Sequence, residues 1–336
     1  MTAFIHGRMA YLETIPDEPQ ATYLARETAQ LREALKQHPE DELYLLQRLL
    51  IFVSLTDAEE SILIANKLLE IDIEKKYIED TYIVLARSYT DKKETEKAMD
   101  YYRKGHEINP SCEEFITEWA ELYAAKFDYE NAIKIYELLD NDKVRLGKEN
   151  SYRYRAAMHY NLKQYDTALD FYKKALLLNP DDTDGILSED IGKTLLLQKQ
   201  YNEAIEWFKK ALEKNPEAAD SHFGLGLCYE GMEDHYLAMH HYTETLKLKP
   251  GFANALNNIA GIAVNEEGQL KKGIELLEKA IETAEDKNTL TIIYMNLSRV
   301  YNKISDYDKA DYYKTLYMKS LGFDVDFTRE EGGELE

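Results

Sequence analysis

The segments DGILSEDIGKTLLLQKQYNEAIEWFKKALEKNP (residues 184–216) and EAADSHFGLGLCYEGMEDHYLAMHHYTETLKLKP (residues 217–250) lie end to end and repeat one another. Aligned on Pro216 and Pro250, Gly192 falls under Gly226, Leu195 under Tyr229, Ala204 under Ala238 and Phe208 under Tyr242. The period is about 34 residues, the spacing of a helix-turn-helix repeat. Glycine in mid-helix costs roughly 1 kcal/mol relative to alanine, so Gly192 and Gly226 predict a second helix passing very close. Ala204 and Ala238 are the expected small partners on that helix. Phe208 and Tyr242 are large enough to fill the wider gap between successive units. Pro216 and Pro250 end the second helices, because proline disfavours helical geometry in the residue before it. Asn202 reads as an N-cap ahead of the apolar run Ala204, Ile205, Phe208.

This pattern resembles the tetratricopeptide repeat family. The resemblance implies an all-α fold, a right-handed superhelical solenoid of tetratricopeptide-type helix-turn-helix repeats. Working outward, Tyr152, Ala156, Ala168, Tyr172, Ala175 and Pro180 mark the preceding unit, with Asp166 as the N-cap of its second helix. That unit departs from the pattern at Arg155 and His159, where an apolar residue and an aromatic are usual. Tyr82, Leu85, Ala86, Tyr89, Ala98, Tyr102 and Pro110 mark another, and Trp119, Ala120, Tyr123, Ala132 and Tyr136 the one after it. Leu45, Leu49, Phe52, Ala65 and Leu68 belong to a degenerate unit.

Beyond Pro250, a unit beginning at Ala253 carries one extra residue in its turn near Gly268. A last segment has Tyr294, Leu297, Tyr301 and Ala310, with Lys314 where an aromatic is expected and Tyr313 beside it. The organisation predicted is an N-terminal segment and capping helix over 1–40, about eight repeats over 41–320 with a hinge at 140–150, and an acidic flexible tail over 321–336. Terminal caps are what a stacked array requires.

The chain has 336 residues and a formal net charge of −22. That charge argues against general nucleic-acid binding, which needs a basic footprint, and against docking on anionic lipid. Two distant cysteines, Cys112 and Cys228, form no CxxC motif and read as reduced thiols. Together with an N-terminus lacking a signal-peptide apolar core, they predict a cytoplasmic protein.

Motifs that could carry chemistry are weak. LSEDIGKT (187–194) approaches a phosphate-binding loop, but Leu187 stands where its first glycine belongs. PDDTDG (180–185) reads as a solvated helix cap rather than a calcium loop. His235, His240 and His241 are not spaced to share a helix face, and read as surface or partner-facing residues. The expectation is a non-enzymatic protein with no catalytic centre, cofactor or metal.

The resemblance implies that ligands, usually extended peptides or partner helices, lie along the first helices, which line a concave groove. Asn254, Asn257, Asn258, Asn296 and Arg299 fall on or near that lining in the last two units. Asn258 and Asn296 occupy equivalent positions and could form an asparagine ladder, whose amides can bond both groups of a peptide backbone. Arg153 and Lys193 are expected to face each other across adjacent units, where they could hold a carboxylate or pair with nearby acids. The lysine–asparagine clamp of the chaperone-binding members is not found at the matching positions. The function expected is an interaction scaffold for a protein or peptide; the alternative is a regulatory sensor whose superhelix changes shape on binding.

Overall fold

The structure, a computed structural model, describes residues 20–72, 74–140, 147–265 and 268–323. All regular elements among these residues are helices. The chain divides into two compact units between Leu178 and Asn179. The first opens with α1 (Gln20–Gln37). Four pairs come next: α2 (Glu42–Val53) with α3 (Ala58–Ile71), α4 (Ile78–Asp91) with α5 (Thr95–Ile108), α6 (Glu113–Ala125) with α7 (Tyr129–Tyr136), and α8 (Gly147–Asn161) with α9 (Tyr165–Leu178).

The second unit holds α10 (Ile186–Leu197) with α11 (Tyr201–Lys214), α12 (Ala219–Gly231) with α13 (His235–Leu248), α14 (Ala253–Asn265) with α15 (Leu270–Thr283), and α16 (Lys287–Lys303) with α17 (Tyr307–Ser320). Within each unit every helix packs on the next, so the core is distributed along the stack. Of the hinge expected at 140–150, residues 141–146 lie outside the described residues, as do 1–19 and 324–336.

Six of the turns inside the pairs share one conformation. Lys93, Phe127, Lys163, Lys199, Glu233 and Ser305 all have φ between 59° and 62°. The next residue's N–H then bonds back to the first helix, as in Gln164 to the His159 carbonyl and Gln200 to that of Leu195. The extra residue near Gly268 is accommodated in the same way. Gly268 takes φ of 64°, and Gln269 reaches back one residue further, to the Ala263 carbonyl.

This register corrects both expected caps. α11 starts at Tyr201 and α9 at Tyr165, so Asn202 and Asp166 lie in the first helical turn. The cap position directly follows the left-handed residue; where an aspartate stands there, as at Asp128, Asp234 and Asp306, its carboxylate accepts a backbone N–H of the first turn. A side chain in the left-handed region costs roughly 1–2 kcal/mol, part of which glycine gives back as unfolded-state entropy. Lys163→Gly is therefore expected to stabilise the protein by about 0.5–1 kcal/mol. A raised urea midpoint at unchanged slope is the result to look for; no gain would show the turn unstrained.

Two packing rules recur. Inside a pair, a ring on the second helix lies between two rings on the first. Tyr101 sits between Tyr82 and Tyr89, Phe171 between Tyr152 and His159, His241 between His222 and Tyr229, and Tyr313 between Tyr294 and Tyr301. Tyr313 is thus a regular occupant of this sandwich and not a displaced motif residue. Lys314 is exposed on the last described helix.

Between pairs, the next residue along the second helix inserts against the following first helix. Tyr102 meets Glu118, Phe208 meets Gly224 and Tyr242 meets Asn258, each 16 residues on. Phe208 also closes on Gly192, where an added Cβ would lie 3.0 Å from its ring, and Tyr242 closes on Gly226. The mid-helix glycines therefore admit rings, whereas the expected partners were Ala204 and Ala238.

Candidate functional site

The asparagines of α14 and α16 come together, though not as a ladder of equivalent residues. Asn296 Nδ2 donates to Asn257 Oδ1 at 2.8 Å, and Asn257 Nδ2 donates to Asn258 Oδ1 at 3.1 Å. Asn258 Nδ2 in turn donates to the Tyr242 hydroxyl at 3.1 Å, and that hydroxyl donates to Glu230. A continuous chain of amides and one phenol thus crosses three consecutive helix pairs. Burial, and then the Glu230 carboxylate, push the Tyr242 phenol well above its ordinary range, so it remains a proton donor.

The expected Asn258–Asn296 contact fails for a physical reason. Asn258 follows Tyr242 by 16 residues, so the packing rule between pairs turns it towards the phenol. Asn257 is left to meet Asn296. Asn254 lies apart from the chain and accepts from the Thr289 hydroxyl at 3.1 Å. Arg299 is exposed one turn beyond Asn296, and no hydrogen bond or ion pair engages it among the described residues. On α14, a Cβ added at Gly261 would meet nothing within 4 Å, so the surface beside the amide chain is open.

The two members of the expected basic pair lie in different compact units. Arg153 lies in the first unit with its guanidinium over the Tyr154 ring at 5.4 Å, and Lys193 lies in the second, paired with Glu189 at 2.6 Å. Burial lowers the Lys193 pKa, but the Glu189 hydrogen bond and charge outweigh it, and the net shift is upward. The pattern-breaking Arg155 pairs with Glu137 and Asp140, each at 3.1 Å, and lies over Phe171 at 4.4 Å. His159 completes the ring sandwich around the same Phe171.

The remaining motifs settle as local structure. Asp182 is buried and accepts the Leu187 and Ser188 amides, so the cap predicted in PDDTDG exists but is not solvated. LSEDIGKT lies within α10. Both cysteines are free and buried, and burial pushes the Cys228 thiol up to about 12. His240 is exposed as expected, but His241 is half-buried between rings. No group of three metal-ligating side chains is found among the described residues, and no helix there is long and apolar enough to cross a membrane.

Sequence reasoning missed Tyr242 and Glu230 as supports of the amide surface. The 16-residue offset from Phe208 to Gly224 and from Tyr242 to Asn258 is the signal that could have found the phenol.

Profiles described as tetratricopeptide repeat match residues 79–112 and 150–182, and one described as TPR repeat matches 192–232. Among solved structures, the Cut9–Hcn1 hetero-tetramer of the APC/C is 18% identical, with a TM-score of 0.53 over 82% of this chain and 52% of that one. PilW, described as a widely conserved type IV pilus biogenesis factor, is 20% identical, with a TM-score of 0.52 over 63% of this chain and 94% of its own. At these identities the likeness is one of fold. MamA is 25% identical over 50% of this chain and 96% of its own, with a TM-score of 0.42.

Proposed function

We propose that this chain, which belongs to the tetratricopeptide-repeat family, is a non-enzymatic scaffold that binds a protein or peptide along the first helices of its second unit. Tetratricopeptide repeats are protein-interaction modules. The observation that carries the more specific reading is the amide chain from Asn296 through Asn257 and Asn258 to Tyr242.

Each amide nitrogen carries two hydrogens. One hydrogen of Asn257 and one of Asn296 go to the neighbouring amide, and the second of each can donate to a main-chain carbonyl of a bound segment. The Asn296 carbonyl can accept a main-chain N–H. Such contacts hold an extended peptide without reading its side chains. Because neighbouring amides fix one another, less side-chain entropy is lost on binding. The open surface at Gly261 lets a backbone approach α14 closely, and Arg299 offers a charged donor to an acceptor beside it.

An Asn257→Ala, Asn296→Ala double variant tests this. Peptides selected on the wild-type protein by display are titrated against both proteins by calorimetry. Two lost neutral hydrogen bonds at about 0.5–1.5 kcal/mol each predict roughly a tenfold to hundredfold loss of affinity. Unchanged circular dichroism would exclude misfolding. Equal affinities would move the binding surface elsewhere.

A further inference from the structure

The ring sandwich inside the α12–α13 hairpin differs from the other three. Its middle ring is His241 and one outer ring is His222, whereas the same places hold Tyr101 and Tyr82, Phe171 and Tyr152, and Tyr313 and Tyr294. His222 Nδ1 and His241 Nδ1 are 3.3 Å apart, and Tyr229 lies parallel to His241 on its other side, with ring centroids 5.5 Å apart. One imidazole must donate and the other accept across that gap. Two neutral rings do this; two protonated rings set N–H against N–H.

We propose that the His222–His241 pair is an acid-sensitive latch, which holds the α12–α13 hairpin closed at neutral pH and weakens as the pH falls below the ordinary histidine range. The groups around the pair leave this direction intact. For His241, half-burial comes first in lowering the pKa, and His222, His240 and Lys209 lower it further. Glu244 opposes them, and the result is about 4. For His222, burial and His240 act downward against Glu244 and the Pro216 carbonyl, with a net lowering. Both rings therefore favour the neutral form in the folded state and the protonated form in the unfolded state. Their contribution is complete above the ordinary histidine range of about 6.5 and drains away as pH falls from there towards the folded value.

The consequence reaches the binding surface. His241 is followed directly by Tyr242, whose ring packs on Gly226 of α12 and whose hydroxyl joins Glu230 to Asn258. Opening the hairpin withdraws the end of the amide chain. The release of a bound segment rests on the function proposed above; the opening itself does not.

Native-state hydrogen exchange of the full chain at about pH 7 and about pH 5, corrected for intrinsic rates, reads the opening without any ligand. Protection of α12 and α13 amides is expected to fall roughly tenfold more than that of α10, α11, α14 and α15, a figure already reduced for partial solvent screening. The His222→Tyr, His241→Tyr variant recreates the all-tyrosine sandwich of the α4–α5 and α16–α17 pairs, and in it the hairpin should behave like its neighbours. A wild-type hairpin that loses no more protection than its neighbours would overturn the latch. So would a folded variant that loses as much as wild type. If the variant does not fold, NMR titration of the wild-type imidazoles decides: His222 and His241 titrating below the ordinary range support the latch, and either one titrating at or above that range overturns it.

Discussion

Phe208→Ala is expected to cost about 4 kcal/mol of unfolding free energy, the range of a fully buried aromatic truncated in a packed core. The Phe208 ring is completely buried and stands between two pairs, against Gly192 of α10 and Gly224 of α12. Neither glycine has a side chain to lean into the void, so relaxation can recover little. Repeat arrays are held by nearest-neighbour interfaces, and the loss should therefore separate the α10–α11 pair from the α12–α13 pair and broaden or split the urea transition. Trp207, the preceding residue in the chain, is a fluorescent reporter of the change. Glu206→Ala, on the exposed face, should stay within about 0.5 kcal/mol of wild type. Gly224→Ala, whose new Cβ would strike the Phe208 ring, should cost less in the Phe208→Ala background than alone. A cost for Phe208→Ala below about 1 kcal/mol would mean the interface is not closed by this ring.

The second large effect lies in the first unit. Arg87 of α4 forks onto Glu118 of α6, with Nε donating to Oε2 at 2.8 Å and Nη2 donating to Oε1. The Tyr102 hydroxyl of α5 donates to the same carboxylate at 2.8 Å. Burial pulls the Arg87 pKa down, but the Glu118 hydrogen bond and charge more than restore it, so the guanidinium stays charged. Three consecutive helices meet at one charge. Arg87→Met keeps the apolar volume and leaves Glu118 with a single neutral donor, which is expected to destabilise the unit by about 3 kcal/mol. In a Glu118→Gln background the same change should cost about 1 kcal/mol, and the difference is the coupling. Additive single and double variants would show the fork to be ornamental. Arg87→Lys should recover only part of the loss, since an ammonium cannot serve both carboxylate oxygens in the plane.

The two results bear on how the surface of the second unit is built. The residue 16 places after each inserted ring can be an acid, a glycine or an amide, as Glu118, Gly224 and Asn258 show. The choice decides whether the junction is an ion-pair fork, a close-packed apolar seam or the start of an amide surface. A scaffold of one geometry thereby acquires different chemistry along its length without altering the hairpins.

The repeat itself was legible in the chain. Period, mid-helix glycines, inserted aromatics and closing prolines are consequences of two helices meeting at fixed heights, and that geometry is written at fixed spacings within about 34 residues. Helix starts were misread at Asn202 and Asp166, because a polar residue near a boundary suits either the cap or the first turn. The left-handed residue before the cap decides between them, and backbone conformation is not visible in residue type when lysine, glutamate or serine occupies it.

The candidate surface was half legible. Five polar residues were placed on two neighbouring first helices, but their partners depend on which neighbour arrives within about 3 Å across a junction, and spacing along one helix does not contain that distance. Asn258 is taken by Tyr242, Lys193 by Glu189 and His241 by two flanking rings. Local sequence sets what each helix can bury; only the packing of one pair on the next decides which polar groups are satisfied within the chain and which still face outward.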